Sequence, residues 1–186
     1  IDVGDSITCT ASVTDSDGST VISEDSVDVE NTGPSLSNIA ITSSSGVYND
    51  DTLTCSVTAS DPDETVTPSY SWMLNTVLVG TGDTLDLSSV SAMPTDSVMC
   101  TATAADSDGG VTTDSTSVTI DNRSPTITAS IDTTSIETDT LVECSSVVSD
   151  PDGESLTDTL SWWVNGTQIG TGSPFQLDSS LVQPGD

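Results

Sequence analysis

Two cysteines with a tryptophan between them, Cys55, Trp72 and Cys100, constrain this chain more than any other feature. Around the first, Leu53, Val57 and Ala59 alternate with Thr52, Thr54, Ser56 and Thr58. Around the second, Val98, Ala102 and Ala104 alternate with Met99, Thr101 and Thr103. A period of two is that of a half-buried strand, so both sulfurs fall on inward faces. Tyr70, Trp72 and Leu74 supply a third inward face, whose indole can cover the sulfurs. Such a trio can pin two sheets of a β-sandwich together.

Composition alone argues the other way. The chain carries 30 acidic residues against one basic residue, Arg123, no histidine, a formal net charge of -29 and only 3% aromatics. Acidity with so few aromatics favours disorder. Serine and threonine make up roughly a third of the residues, yet valine, isoleucine and leucine fall in alternating runs, as short half-buried strands require. No segment patterns as an amphipathic helix. The 186 residues leave room for two sandwiches of about 90 residues each. Cores so small, with one or two large aromatics apiece, need covalent staples. Cysteines at opposed strand positions imply an oxidising compartment, so an extracellular, cell-surface or secreted location is expected. The sequence has no apolar run long enough to span a membrane and no export signal within these residues, so such a signal is expected outside them. A single arginine cannot neutralise a phosphate backbone, which excludes nucleic acid as a partner.

The sequence repeats itself. Cys9 maps to Cys100, Asp15 to Asp106, Gly18 to Gly109, Val27 to Val118, Asn31 to Asn122 and Pro34 to Pro125, all 91 residues apart. A second correspondence takes Cys55 to Cys144, Asp61 to Asp150, Trp72 to Trp162, Asn75 to Asn165 and Gly80-Thr81-Gly82 to Gly170-Thr171-Gly172. Fixed self-similarity of this kind marks a tandem array. Gly185-Asp186 also overlays Gly4-Asp5, each at the approach to a cysteine strand. The expectation is either a window on a longer repeat protein or subunits that complete one another's domains.

The cysteine–tryptophan–cysteine trio, with Ser71-Trp72-Met73-Leu74-Asn75 running into Gly80-Thr81-Gly82, resembles an immunoglobulin-like domain at its B, C and F strands and its C-to-C′ turn. The tyrosine usual two residues before the second cysteine is replaced by Val98, and by Ile7 in the earlier copy. The resemblance is therefore to the tandem immunoglobulin-like or cadherin-like repeats of giant bacterial surface proteins. It implies an all-β chain of tandem immunoglobulin-like β-sandwiches, cut in mid-domain at both ends. Residues 1–33 then supply the F and G strands of one domain, 34–121 a complete domain, and 122–186 the A to E strands of a further one. It also implies a Cys55–Cys100 disulfide under Trp72, with Cys9 and Cys144 pairing outside the continuous segment. The implied role is a structural repeat of a long surface fibre or stalk, with neighbouring copies as partners. The alternative is an adhesin whose domains bind a glycan or a host or neighbour-cell surface.

Each cysteine is followed six residues later by an aspartate that opens an Asp-x-Asp pair: Asp15/Asp17, Asp61/Asp63, Asp106/Asp108 and Asp150/Asp152, with Glu64 and Glu154 adding carboxylates to two of them. In the sandwich topology the B–C and F–G loops share one end. Asp61, Asp63, Glu64, Asp106 and Asp108 are thus expected to converge on Glu30 and Asn31 of the linker. Asp121 and Asn122 take the linker part for Asp150, Asp152 and Glu154. Hard oxygens drawn from two loops and a linker suit Ca²⁺, which takes six to eight of them. Asp, Pro and Gly also make ordinary solvated turns, and both readings stand at this level. An EF-hand is excluded, because its twelfth-position glutamate falls on Ser26, Trp72, Ser117 and Ser161. Asn165-Gly166-Thr167 is a glycosylation sequon, and Asn122-Arg123-Ser124 a second one compromised by Pro125. Trp163, beside Trp162, points to the opposite face as a surface contact or a sugar-stacking residue. An enzyme is not expected: histidine and lysine are absent, and carboxylates repeated in every loop do not make one unique cleft.

Overall fold

The alternating segments form antiparallel strands, and the only helical element among the described residues is one 3₁₀ turn, Leu87–Ser89. The computed structural model describes residues 1–133 and 135–185. It divides into two units, Ile1–Asp121 and Asn122–Asp186.

In the first unit, β1 (Ser6–Thr14) and β2 (Thr20–Asp28) form a hairpin paired over all nine residues of each strand. Among the described residues neither strand pairs with any other. Two larger sheets follow. One is ordered β3 (Ser35–Thr42), β4 (Thr52–Ser60), β7 (Thr84–Asp86); the other is β6 (Val77–Thr81), β5 (Ser69–Leu74), β8 (Ser97–Ala105), β9 (Val111–Thr119). The alternation decides which side chains meet between them. On β4, Leu53 and Cys55 are buried while Thr52, Thr54 and Ser56 are exposed. On β8, Val98, Cys100, Ala102 and Ala104 are buried.

Cys55 on β4 and Cys100 on β8 are joined by a disulfide, with their Cα atoms 6.4 Å apart. The bond therefore ties one sheet to the other. Trp72 lies directly opposite Cys100 in the β5–β8 register and is fully buried. Its indole N–H donates to the Gly82 carbonyl at 2.9 Å, which satisfies the one polar atom the ring carries inward. Leu53, Leu85, Leu87, Ala92, Val98 and Ile120 complete the core, with Tyr70 and Leu74 half-buried at its margin. The β5–β6 turn places Asn75 at φ 55°, a left-handed position that asparagine tolerates better than most residues.

The second unit holds β10 (Thr126–Ile131), β11 (Leu141–Val142), β12 (Cys144–Ser149), β13 (Ser161–Val164), β14 (Thr167–Thr171) and β15 (Phe175–Gln176). They pair two by two: β10 with β12, β11 with β15, and β13 with β14. Val142, Leu177 and Val182 are buried, with Trp162 and Phe175 against them. Those two rings stack at 5.8 Å between centroids. Trp162 donates to the Gly172 carbonyl at 2.7 Å, as Trp72 does to Gly82. Cys9 is exposed, Cys144 is half-buried, and neither is in a disulfide.

Loss of the strap is a measurable event. The Cys55–Cys100 bond closes a loop across a sequence separation of 45, for which chain entropy gives about 4 kcal/mol. The C55A/C100A variant should unfold in urea with stability lower by about that amount. Trp72→Ala should cost about 3–5 kcal/mol by emptying the centre of the core. A loss under about 1 kcal/mol in either variant would contradict this placement of the core.

Candidate functional site

Each Asp-x-Asp loop begins by folding one carboxylate oxygen back on its own backbone. Asp15 Oδ1 accepts from the amides of Asp17 (3.0 Å) and Ser19 (2.8 Å). Asp61 Oδ1 accepts from Asp63 (2.8 Å) and Glu64 (3.2 Å). Asp106 Oδ1 accepts from Asp108 (3.0 Å) and Gly110 (2.7 Å), and Asp150 Oδ1 from Asp152 (2.7 Å). These are the side-chain-to-backbone turns that aspartate forms readily. They engage Oδ1 and leave Oδ2 to whatever else each loop approaches.

In the first unit, what the loops approach is the segment leading into β3. Thr32 donates its backbone N–H to Asp63 Oδ2 at 2.7 Å, and Asn31 donates its side-chain amide to Asp106 Oδ2 at 2.9 Å. The two loops also hold each other. Glu64 accepts from the Ser107 amide at 2.5 Å and from its hydroxyl at 3.0 Å. Gly110 lets the segment come close: a Cβ there would lie 2.8 Å from the Gly33 Cα. Pro34 is buried, and its carbonyl accepts from the Thr112 hydroxyl at 2.7 Å. Two oxygens in this junction are buried without a hydrogen-bond partner, Asn31 Oδ1 and Asp61 Oδ2. Buried acceptors of this kind are uncommon, because each forfeits its hydration. The hydrogen bond from Asn31 above all, helped by the loop's own amides and opposed by desolvation, holds the Asp106 carboxyl below the usual aspartate range.

The equivalent junction of the second unit is built differently. Arg123 donates its backbone N–H to Asp152 Oδ2 at 2.6 Å, the counterpart of the Thr32–Asp63 bond. Its guanidinium adds Nε–H to Asp152 Oδ1 at 2.9 Å, and Nη2 to the Pro151 carbonyl at 3.0 Å. Asp152 is only 4% exposed. Ligand oxygens of Asp150, Asp152 and Glu154 lie within 4.8 Å of one another, a group of three acids that could hold a metal ion. The sole basic side chain of the protein already sits on its buried member.

Convergence therefore gathers Asn31, Asp61, Asp63, Glu64 and Asp106 at one junction, and Asp150, Asp152 and Glu154 at the other. Glu30, Asp108, Asp121 and Asn122 stay exposed at the margins, and Asp15 and Asp17 lie in the exposed loop of the β1–β2 hairpin. Asn165 is exposed at the β13–β14 turn, at φ 46°. Trp163 is 59% exposed, on the face opposite Trp162. Arg123 is the residue that patterning passed over. Its position two residues before Pro125 in an otherwise acidic chain was the available signal. In comparisons with known proteins, the chain matches no family model and no curated protein.

Two substitutions probe the junctions. Arg123→Ala removes the cation from the buried Asp152 carboxylate, and the second unit should lose about 3 kcal/mol. Urea unfolding measures it, and a change below about 0.5 kcal/mol would class the pair with surface contacts. Asp106 titrates lower when folded, so its stabilising contribution is complete above the unfolded value near pH 4 and is lost as pH falls through the lowered one. Asn31→Ala should therefore flatten the acid limb of the stability–pH curve below about pH 4. An unchanged limb would remove Asn31 as the cause.

Proposed function

We propose that this chain is a structural segment of a long extracellular surface fibre, built from disulfide-strapped immunoglobulin-like repeats whose junctions are stiffened by calcium. The observation that carries this reading is the clasp of both acidic loops on the segment before β3, through Thr32–Asp63 and Asn31–Asp106. A loop end that grips the incoming chain is what a stiff rod requires, and repetition of the grip at Arg123–Asp152 suits an array. The Cys55–Cys100 disulfide favours an oxidising exterior, and no helix among the described residues is long and apolar enough to cross a membrane.

Calcium enters through the two orphaned oxygens. Asn31 Oδ1 and Asp61 Oδ2 are hard acceptors with no donor, in a junction that also holds Asp63 and Asp106. Carbonyl and carboxylate oxygens are what Ca²⁺ selects. The Arg123 junction carries its own cation, which opposes a metal there. Calcium therefore belongs at the Asn31–Asp61 junction ahead of the Asp150–Asp152–Glu154 group. A catalytic role fits less well, since the carboxylates serve as loop fasteners at both junctions.

Titrating the full chain with calcium chloride in a calorimeter tests the assignment. Wild-type protein should bind, Asp61→Asn should weaken binding at least tenfold, and Asp150→Asn should leave it unchanged. Small-angle scattering should show a larger maximum dimension in millimolar calcium than in chelator. Equal dimensions, or binding indifferent to Asp61→Asn, would overturn the calcium-stiffened rod.

A further inference from the structure

Thr32 and Arg123 hold one position of the repeat, each directly after an asparagine, Asn31 or Asn122, and two residues before a proline, Pro34 or Pro125. Each donates its backbone N–H to the second aspartate of an identical Asp-Pro-Asp loop. Thr32 meets Asp63 Oδ2 at 2.7 Å and Arg123 meets Asp152 Oδ2 at 2.6 Å. The first aspartate of each loop folds back alike, Asp61 Oδ1 on the Asp63 amide and Asp150 Oδ1 on the Asp152 amide. These backbone bonds are shared by the two junctions, while the side chain at the donor position is not.

The consequence is visible at the second aspartate. Arg123 adds Nε–H to Asp152 Oδ1 at 2.9 Å and Nη2 to the Pro151 carbonyl at 3.0 Å, and the Asp152 side chain is fully buried. Asp63, which meets no guanidinium, is exposed. A carboxylate leaves water only where charge and donors replace its hydration. Arginine supplies both from one planar group. Every acceptor that Arg123 uses has a counterpart at the first junction, namely Asp63 Oδ2, Asp63 Oδ1 and the Pro62 carbonyl. Thr32 is itself exposed, so a longer side chain has room there.

We propose, on the calcium reading of the Asn31–Asp61 junction, that the residue at this position selects the junction's counter-charge. Threonine leaves Asp63 available to a divalent cation, and arginine supplies a guanidinium in its stead. Thr32 is thus a specificity-determining residue for the ion, although its side chain is no ligand. A guanidinium on Asp63 acts twice against Ca²⁺. It withdraws a carboxylate from the ligand set, and it adds positive charge to the loop that holds the orphaned Asp61 Oδ2.

Thr32→Arg in the full chain tests this, with Thr32→Gln as the control that brings side-chain donors without charge. Calcium chloride titration in a calorimeter reads the ion, and urea unfolding in chelator, followed at the amides of β8, reads the first unit alone. Thr32→Arg should weaken calcium binding by about tenfold or more and should raise the urea midpoint in chelator. Thr32→Gln should do neither. The gain in chelator should vanish in an Asp63→Asn background, where the guanidinium has lost its carboxylate. Wild-type calcium affinity in Thr32→Arg, an equal loss in Thr32→Gln, or no gain in chelator would overturn the proposal. A wild-type chain that gives no calcium heat would overturn the calcium reading instead. The chelator comparison then decides the counter-charge role by itself: a gain that Asp63→Asn removes upholds it, and no gain overturns it.

Discussion

The bond between Cys55 and Cys100 joins two sheets that each bury one face only. A chain this acidic, with six aromatic residues, has little apolar surface to hide. Trp72 supplies the largest buried side chain, and it is useful only when β4, β5 and β8 enclose it together. The strap holds them in that arrangement and limits what the unfolded chain can explore. Both sheets gain: β8 keeps Val98, Ala102 and Ala104 dry, and β4 keeps Leu53 dry. The loops that leave these strapped strands inherit their fixed spacing. That is why Asp63 and Asp106 reach one segment, at Thr32 and Asn31, from two loops.

The two junctions show two solutions to one electrostatic problem. Several carboxylates gathered on a short segment repel unless something positive, or a set of oriented N–H groups, offsets them. Both junctions begin with amides, Thr32 to Asp63 and Arg123 to Asp152. The second adds a guanidinium, whose fork suits a carboxylate. The first has a threonine at that place and keeps two orphaned oxygens instead.

Much of this architecture was legible in the residues, because a period of two leaves little choice of face. Leu53 and Cys55, and Val98 to Ala104, lie inward as their alternation requires, and Trp72 lies against the cysteines. The meeting of both acidic loops with the linker also follows from the order of strands. Other features depend on contacts that no local pattern encodes. Asn38, at φ 58°, accompanies a register shift between Ser37 and Ala40, which moves the second half of β3 against β4. Which oxygen of each aspartate turns inward depends on the loop's own N–H groups. Arg123 was visible as a lone charge, but its partner Asp152 lies 29 residues along the chain and meets it only once the loop has closed.

An alternating cysteine strand is stable where a facing sheet covers it and labile where none does. Native-state hydrogen exchange on the dilute chain tests this directly. Amides of β8 should exchange only through global unfolding of the strapped sandwich. Amides of β1 in the same register positions should exchange by local opening, faster by two orders of magnitude or more. Equal protection of β1 and β8 would contradict the account.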